Sequence, residues 1–241
     1  MKRIVSKFIV IIMIFLCFCF NGYTVSATVN NSVMSELVDG DLSLSEGAKP
    51  YVASNKDVAM DQKKLKELKS RQNNIVSRTV YRVLNVPCYI QENNHYCGPT
   101  TVKSILNYRN GTSLSQSQYA SQLGTTDSGT TMTNIPGVLN SHQNYMSYIY
   151  YEFDNYLDWY VRVGLDIQND IPLVIDIASE ESNWMYSTSG HYMSISGYDD
   201  SSSTKYAYIT DSHPTYYGLY MLPAEQVYTV NRNHWRSAII W

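Results

Sequence analysis

A change in hydrophobic periodicity constrains the fold of this chain more than any other feature. From residue 97 apolar side chains recur at helical spacing, and residues 113–123, 133–140 and 155–165 show the same pattern. From residue 173 the pattern becomes that of short strands, each bounded by Gly, Pro, Asp or Ser. The predicted strands cover residues 173–178, 191–198, 205–210 and 218–222. Helices followed by antiparallel strands predict an α+β fold.

Residues 1–27 have the features of a secretory signal peptide. Positive charges precede an apolar run over residues 8–20, and Ala27 closes a stretch of small residues that suits signal peptidase. The run is shorter than the roughly 20 residues of a membrane-spanning helix, although an uncleaved anchor is a second interpretation. We therefore expect a secreted or extracellular protein, free or held at the cell surface, with no stable membrane association after cleavage.

Cleavage would change both the charge and the cysteine content. It removes three of the 18 Lys and Arg, which leaves 15 against 21 Asp and Glu and a net charge of −6. An acidic protein of this kind has no electrostatic basis for binding nucleic acid. Only Cys88 and Cys97 would remain, too few for a disulfide framework.

A shift in composition near residue 78 predicts a domain boundary. Residues 28–78 are polar and poor in aromatics, whereas residues 79–241 are rich in tyrosine and β-branched side chains. Within the first part, residues 61–71 predict one helix with a thin apolar stripe and with charged side chains, Lys64 among them, on its solvated side. This N-terminal extension is either a solvated linker or a pro-segment that covers a cleft and is later removed.

The segment around Cys97 indicates nucleophilic chemistry. Gly98 and Pro99 follow the cysteine and are typical of a helix start. Only a thiolate attacks a carbonyl, and both a helix N-terminus and a neighbouring imidazolium favour that form. Gln91, six positions earlier, is placed to supply an amide donor to an oxyanion.

The partner imidazole has to be chosen among five histidines. We favour His191, because Gly190 leaves it accessible and a predicted strand begins at it, which holds the side chain rigidly. Asp211 stands at the end of the next predicted strand. If the two strands pair as a hairpin, Asp211 reaches the outer ring nitrogen and fixes the tautomer. The full candidate set is His95, His142, His191, His213 and His234.

Each of these residues also has a structural interpretation. Cys97 could be an inert buried thiol or form a disulfide with Cys88. A zinc site from Cys88, His95 and Cys97 fits no common ligand spacing. His191 could be a satisfied structural histidine, and Asp211 a turn or cap residue.

Taken together, the motifs resemble those of the papain-like cysteine peptidases of family thirty-nine. These are the bacteriocin-processing peptidases that cut after double-glycine leaders, with their secreted stand-alone relatives. The resemblance covers residues 80–241 and implies a helical lobe bearing the cysteine, packed on a twisted antiparallel sheet bearing the histidine and aspartate. It rests on Gln91-x5-Cys97-Gly98-Pro99-Thr100, on Gly190-His191-Tyr192-Met193, on the turn Gly197-Tyr198-Asp199-Asp200 and on Asp211.

The resemblance implies a role for each site residue. Cys97 would be the nucleophile, His191 the base and then the acid, and Asp211 the orienting group. Gln91 would be an oxyanion donor beside the Cys97 N–H. The chain departs from its processing relatives in having a predicted secretory signal and no transporter, and in following Asp211 with Ser-His-Pro where relatives often have Asp-Pro.

These features predict a secreted cysteine peptidase that hydrolyses a peptide or protein substrate through a thioester, without metal or organic cofactor. The alternative enzymes are a thiol acyl-transferase and a cell-wall amidase, which use the same dyad. A non-catalytic extracellular binding protein is a further alternative, because the chain has 22 tyrosines suited to contact surfaces. The oligomeric state stays open.

Overall fold

The computed structural model of the protein describes residues 55–73, 81–145 and 147–241. The predicted signal peptide and much of the predicted N-terminal extension lie outside these residues. The described helices are α1 (Asn55–Asn73), α2 (Cys97–Asn110), α3 (Gln116–Leu123), α4 (Ile135–Ser141), α5 (Tyr156–Gln168) and α6 (Ala224–Asn233), with a 3₁₀ turn at Met132–Asn134. The described strands are β1 (Tyr81–Val83), β2 (Tyr150–Glu152), β3 (Leu173–Ser179), β4 (Thr188–Asp199), β5 (Tyr206–Asp211), β6 (Gly218–Pro223) and β7 (Ala238–Ile240).

The strands form one seven-stranded antiparallel sheet. Its order is β2-β7-β3-β4-β5-β6, and β1 pairs with the end of β4. In the β4–β5 pair, Ser194 lies opposite Thr210. Because these strands run in opposite directions, the start of β4 and the end of β5 meet at one end of the sheet. This topology brings His191 towards Asp211.

Helix α2 packs against β4 through a buried apolar face. Val102, Ile105 and Leu106 are fully buried, as expected for side chains that share one side of a helix. The Thr101 hydroxyl donates a hydrogen bond of 3.1 Å to the carbonyl of Tyr192 in β4. These contacts fix the first turn of the helix relative to the sheet.

The predicted α+β fold is confirmed. The four predicted strands match β3, β4, β5 and β6 to within three residues at each end, and α2 begins at Cys97 as predicted. The helical part that carries Cys97 packs on the antiparallel sheet that carries His191 and Asp211. Among the described residues, no helix has the length and apolar character needed to span a bilayer.

Helix α1 is longer than predicted, and one of its lysines is placed differently. Lys64 is buried, and its Nζ lies 3.1 Å from the carboxylate of Asp166 in α5 and 4.5 Å from the ring centre of Trp241. The expectation of a solvated Lys64 is therefore wrong, because a buried carboxylate provides its partner. Asp61 pairs in the same way with Arg162 of α5, at 3.0 Å. The boundary near residue 78 stays a prediction.

Candidate active site

Cys97 is the first residue of α2 and has 4 % of its surface exposed. The first N–H groups of a helix have no partner within it, and the helix dipole places partial positive charge at this end. Gly98 is needed here because of a close approach. A Cβ at this position would lie 2.5 Å from the hydroxyl oxygen of Thr130. Glycine therefore allows Thr130 to pack directly against the helix start.

The loop that precedes α2 is anchored by the buried side chain of Gln116. Its Nε2 donates to the carbonyl of Ile90 at 2.8 Å. Its Oε1 accepts from the N–H of Glu92 at 2.9 Å and from the hydroxyl of Thr100 at 2.6 Å. These three bonds fix the loop relative to the first turn of α2. Nothing in the sequence motif pointed to this residue.

Gln91 lies on that loop and is largely buried. Its backbone N–H donates to the carbonyl of Ser212, the residue after Asp211, at 3.0 Å. Its Nε2 donates one hydrogen to the carbonyl of Asn93 at 2.9 Å. A side-chain amide has two N–H donors, so a second one is available for a bound group.

The structure brings together the three residues selected from the sequence. His191 Nε2 lies 2.8 Å from Asp211 Oδ1, and both side chains are buried. The Cys97 side chain lies close enough to His191 to raise the pKa of the imidazole. Since Asp211 engages Nε2, the other ring nitrogen, Nδ1, is the one left for the thiol. The hairpin formed by β4 and β5 produces this arrangement, as the strand pattern predicted.

The charges in the site support one another. Burial alone would lower the pKa of His191, but the Asp211 carboxylate and the Cys97 side chain together raise it to about 10. Burial alone would raise the pKa of Asp211, but the His191 charge and hydrogen bonds from His191, Tyr186 and the His213 N–H hold it below its usual value. The charged form of His191 is therefore the favoured one beside Cys97.

Other histidines in the described chain lack this combination. His234 lies 3.4 Å from Asp176, in a second buried pair. His142 hydrogen bonds with Gln122 on the surface, at 2.6 Å. His213 stacks on Tyr186 with ring centres 4.2 Å apart. Unlike these three, His191 has its ring paired with the Asp211 carboxylate beside Cys97.

The structure does not show the Cys88–Cys97 disulfide considered above, and it shows Cys97 as a buried free thiol. Cys88 and Cys97 are both free thiols, and Cys88 donates to the carbonyl of Asp211 at 3.0 Å. Burial raises the pKa of Cys88. Within the described part of the chain, no three His, Cys, Asp or Glu side chains are arranged to hold a metal ion.

Two further donors to Asp211 were not identified from the sequence. The Tyr186 hydroxyl donates to Oδ2 at 2.6 Å, and the His213 N–H donates to Oδ1 at 2.8 Å. Tyr186 lies in an irregular segment before β4, where no hydrophobic periodicity predicts the orientation of a side chain. A backbone N–H has no sequence signature at all.

Several solved structures are similar to this chain. No curated protein sequence matches the chain. A double glycine motif protease from an AMS/PCAT transporter, solved with its leader peptide, is 16% identical, with 66% of this chain and 92% of that chain covered and a TM-score of 0.44. The peptidase domain of Streptococcus ComA, a bi-functional ABC transporter of a quorum-sensing pathway, is 17% identical, with 65% and 97% covered and a TM-score of 0.44. Digestive procathepsin L 3 of the Tenebrio molitor larval midgut is 12% identical, with 86% and 77% covered and a TM-score of 0.45.

The match to a family model is more informative than these structural similarities. The model described as "Peptidase_C39 like family" matches residues 83–236. This range contains Gln91, Cys97, His191 and Asp211, and it covers more than half of the chain. The chain belongs to the Peptidase_C39 like family.

Proposed function

We propose that this protein is a cysteine peptidase that hydrolyses peptide bonds with Cys97, His191 and Asp211. The observation that carries the proposal is the buried His191–Asp211 pair, 2.8 Å apart, beside a cysteine at a helix N-terminus. Each group has the chemistry its position requires: a thiol that can ionise, a charged imidazole next to it, and a carboxylate that fixes the imidazole. Membership of a peptidase-like family supports the same conclusion.

The reaction follows from these positions. The Cys97 thiolate attacks the substrate carbonyl carbon and forms a tetrahedral oxyanion, to which the Cys97 N–H and the free amide hydrogen of Gln91 would donate. His191 then gives its proton to the leaving amine, and a thioester remains on Cys97. In the second half, His191 takes a proton from water as the water attacks the thioester. The acid product leaves and Cys97 is restored.

We place this activity outside the cell, acting on a peptide or protein. The expectation rests on the apolar run and small residues of positions 1–27, which fit a secretory signal. The double glycine motif protease above was solved with a leader peptide. For the present chain we propose a peptide substrate of unspecified sequence, chosen because of the family to which the chain belongs.

The direct test is to incubate the purified protein with a complex peptide mixture and to identify new termini by mass spectrometry. We expect new termini that are absent when the protein is first alkylated with iodoacetamide. Addition of an amine acceptor separates hydrolysis from acyl transfer, because a transferase gives amide products. A folded protein with a reactive Cys97 that cuts no peptide bond would overturn the proposal in favour of a transferase, an amidase or a binding protein.

The charge on His191 predicts the pH dependence of the site. A pKa raised to about 10 means that the imidazolium is present below pH 10 and is lost as the pH rises through that value. We therefore expect Cys97 to be alkylated rapidly well below pH 8, and hydrolysis to decline only as the pH approaches about 10.

Mass spectrometry of the alkylated peptides separates Cys97 from Cys88. The rapid alkylation of Cys97 below pH 8 should be lost in the variant His191→Ala, whose Cys97 should then react like an ordinary thiol. A decline of hydrolysis near pH 6.5, the value of an unperturbed imidazole, would show that Asp211 does not hold the charge on His191.

A further inference from the structure

We propose that Tyr186 is a positioning residue of this site, whose hydroxyl holds the second oxygen of Asp211 and so fixes the carboxylate that orients His191. The inference rests on the proposed function. Asp211 is fully buried, and each of its carboxylate oxygens has a donor within the protein. Oδ1 accepts from His191 Nε2 and from the His213 N–H, both at 2.8 Å. Oδ2 accepts from the Tyr186 hydroxyl at 2.6 Å.

The Tyr186 bond matters because Asp211 has no exposure to water. A buried carboxylate oxygen without a donor is costly, and the carboxyl group then rotates towards another donor or takes up a proton. Either change would weaken the bond from His191 Nε2 to Oδ1. Burial alone would raise the pKa of Asp211, and the Tyr186 hydroxyl is one of the groups that lower it.

Tyr186 is held in place by contacts of its ring and backbone, and its hydroxyl, besides donating to this oxygen at 2.6 Å, lies 3.9 Å from the sulfur of Met193. Its ring stacks on His213 at 4.2 Å and on Tyr216 at 5.2 Å, and meets His191 edge-on at 5.7 Å. Its carbonyl accepts from the hydroxyl of Ser179 at 2.8 Å. Burial and the charge of Asp211 raise the pKa of Tyr186, so the phenol keeps its proton throughout the range in which His191 is charged.

Several titratable groups face this part of the site, and any pH profile reports on all of them. His191 is the fourth residue of β4, and Tyr220 lies on β6. The titratable groups that interact electrostatically with the Asp211 carboxylate include His191, His213, Tyr186, Tyr220 and Cys88. Among the tyrosines, Tyr186 donates a hydrogen bond to the Asp211 carboxylate, so it can be tested separately by removing one hydroxyl.

The test compares Tyr186→Phe with the matched variant Tyr216→Phe. Both substitutions keep a ring in the same stack, but only the first removes a donor to Asp211. For Tyr186→Phe we expect kcat to fall by about tenfold to a hundredfold with little change in KM, the effect of losing one hydrogen bond to a charged group. The lowest pH at which Cys97 is still alkylated rapidly should move up, since Asp211 is then protonated more easily. Tyr216→Phe should behave like the unmodified protein.

A second measurement makes the result independent of any loss of stability. In the background Asp211→Asn, adding Tyr186→Phe should have little further effect on kcat, because the two residues act through one bond. Unchanged alkylation and kinetics in a folded Tyr186→Phe protein, or equal losses in both backgrounds, would overturn this inference. Absence of rapid alkylation and of hydrolysis in the unmodified protein would instead refute the proposed function, so the two failures are distinguishable.

Discussion

Replacing either Cys97 or His191 by alanine is expected to lower kcat/KM for peptide hydrolysis by roughly 10⁴- to 10⁶-fold. The loss of kcat/KM is this large because a nucleophile and its base act as one unit, so that removing either one removes most of the rate enhancement. Cys97 supplies the attacking sulfur. His191 supplies the charge that favours the thiolate and the proton that the leaving amine needs. The double variant should therefore be little worse than either single variant.

Matched controls separate this chemistry from general damage to the fold. Cys88→Ala removes the other described thiol and His142→Ala removes a surface imidazole, and both should retain activity within about a factor of ten of the unmodified protein. Steady-state kinetics give the rates, and thermal unfolding shows whether each variant is folded. Full activity in purified Cys97→Ala or His191→Ala would contradict the proposed function.

The positions of the catalytic candidates could be predicted because local patterns determine them. Cys97 precedes Gly98 and Pro99, which mark the start of α2, and the helix begins there. His191 lies on β4, and Asp211 is the last residue of β5. The ends of a strand can be predicted from the alternation of apolar and polar side chains and from the residues that bound the strand. Antiparallel pairing then determines which strand ends meet. Short segments of the sequence therefore predict the helix start and the strand ends that come together at the site.

The supporting residues could not be predicted, for physical reasons that differ from case to case. Tyr186 lies in an irregular segment whose direction depends on tertiary packing alone. Strands β1, β2 and β7 have three residues each, too few to show alternation. Gln116 anchors the loop at Gln91 from a helix whose sequence gives no sign of it. In each case the contacts join segments that are distant along the chain.

The burial of Lys64 could not be predicted from the local sequence. The helix around it is rich in lysine and has a thin apolar stripe, a pattern typical of a solvated surface. The reason for its burial lies about one hundred residues away, in the fully buried carboxylate of Asp166. Burial raises the pKa of Asp166 to about 6 in spite of the Lys64 charge, and the same burial lowers the pKa of Lys64. Each charge therefore depends on the other for its stability in the interior.

Removing one of these charges is expected to destabilise the fold strongly. For Lys64→Ala we expect the free energy of unfolding to fall by about 3–5 kcal/mol at pH 8, the cost of leaving one partner of a buried ion pair alone. The loss should be smaller at pH 5, where protonation relieves the unpaired Asp166. Urea unfolding followed by circular dichroism measures both values. The adjacent exposed Lys63 provides the control, because Lys63→Ala should change stability by no more than about 0.5 kcal/mol.

The result also bears on the two interpretations of the N-terminal extension. A solvated linker helix would contribute nothing to the free energy of unfolding, so Lys64→Ala would then have the same small effect on stability as Lys63→Ala. Helix α1 contacts α5, Tyr148 and Trp241, so we expect a helix that belongs to the folded unit and not a cover over Cys97. The variant Lys64→Met with Asp166→Leu removes both charges and should recover most of the lost stability. Equal, small effects at positions 63 and 64 would show that the Lys64–Asp166 pair does not hold α1 in place.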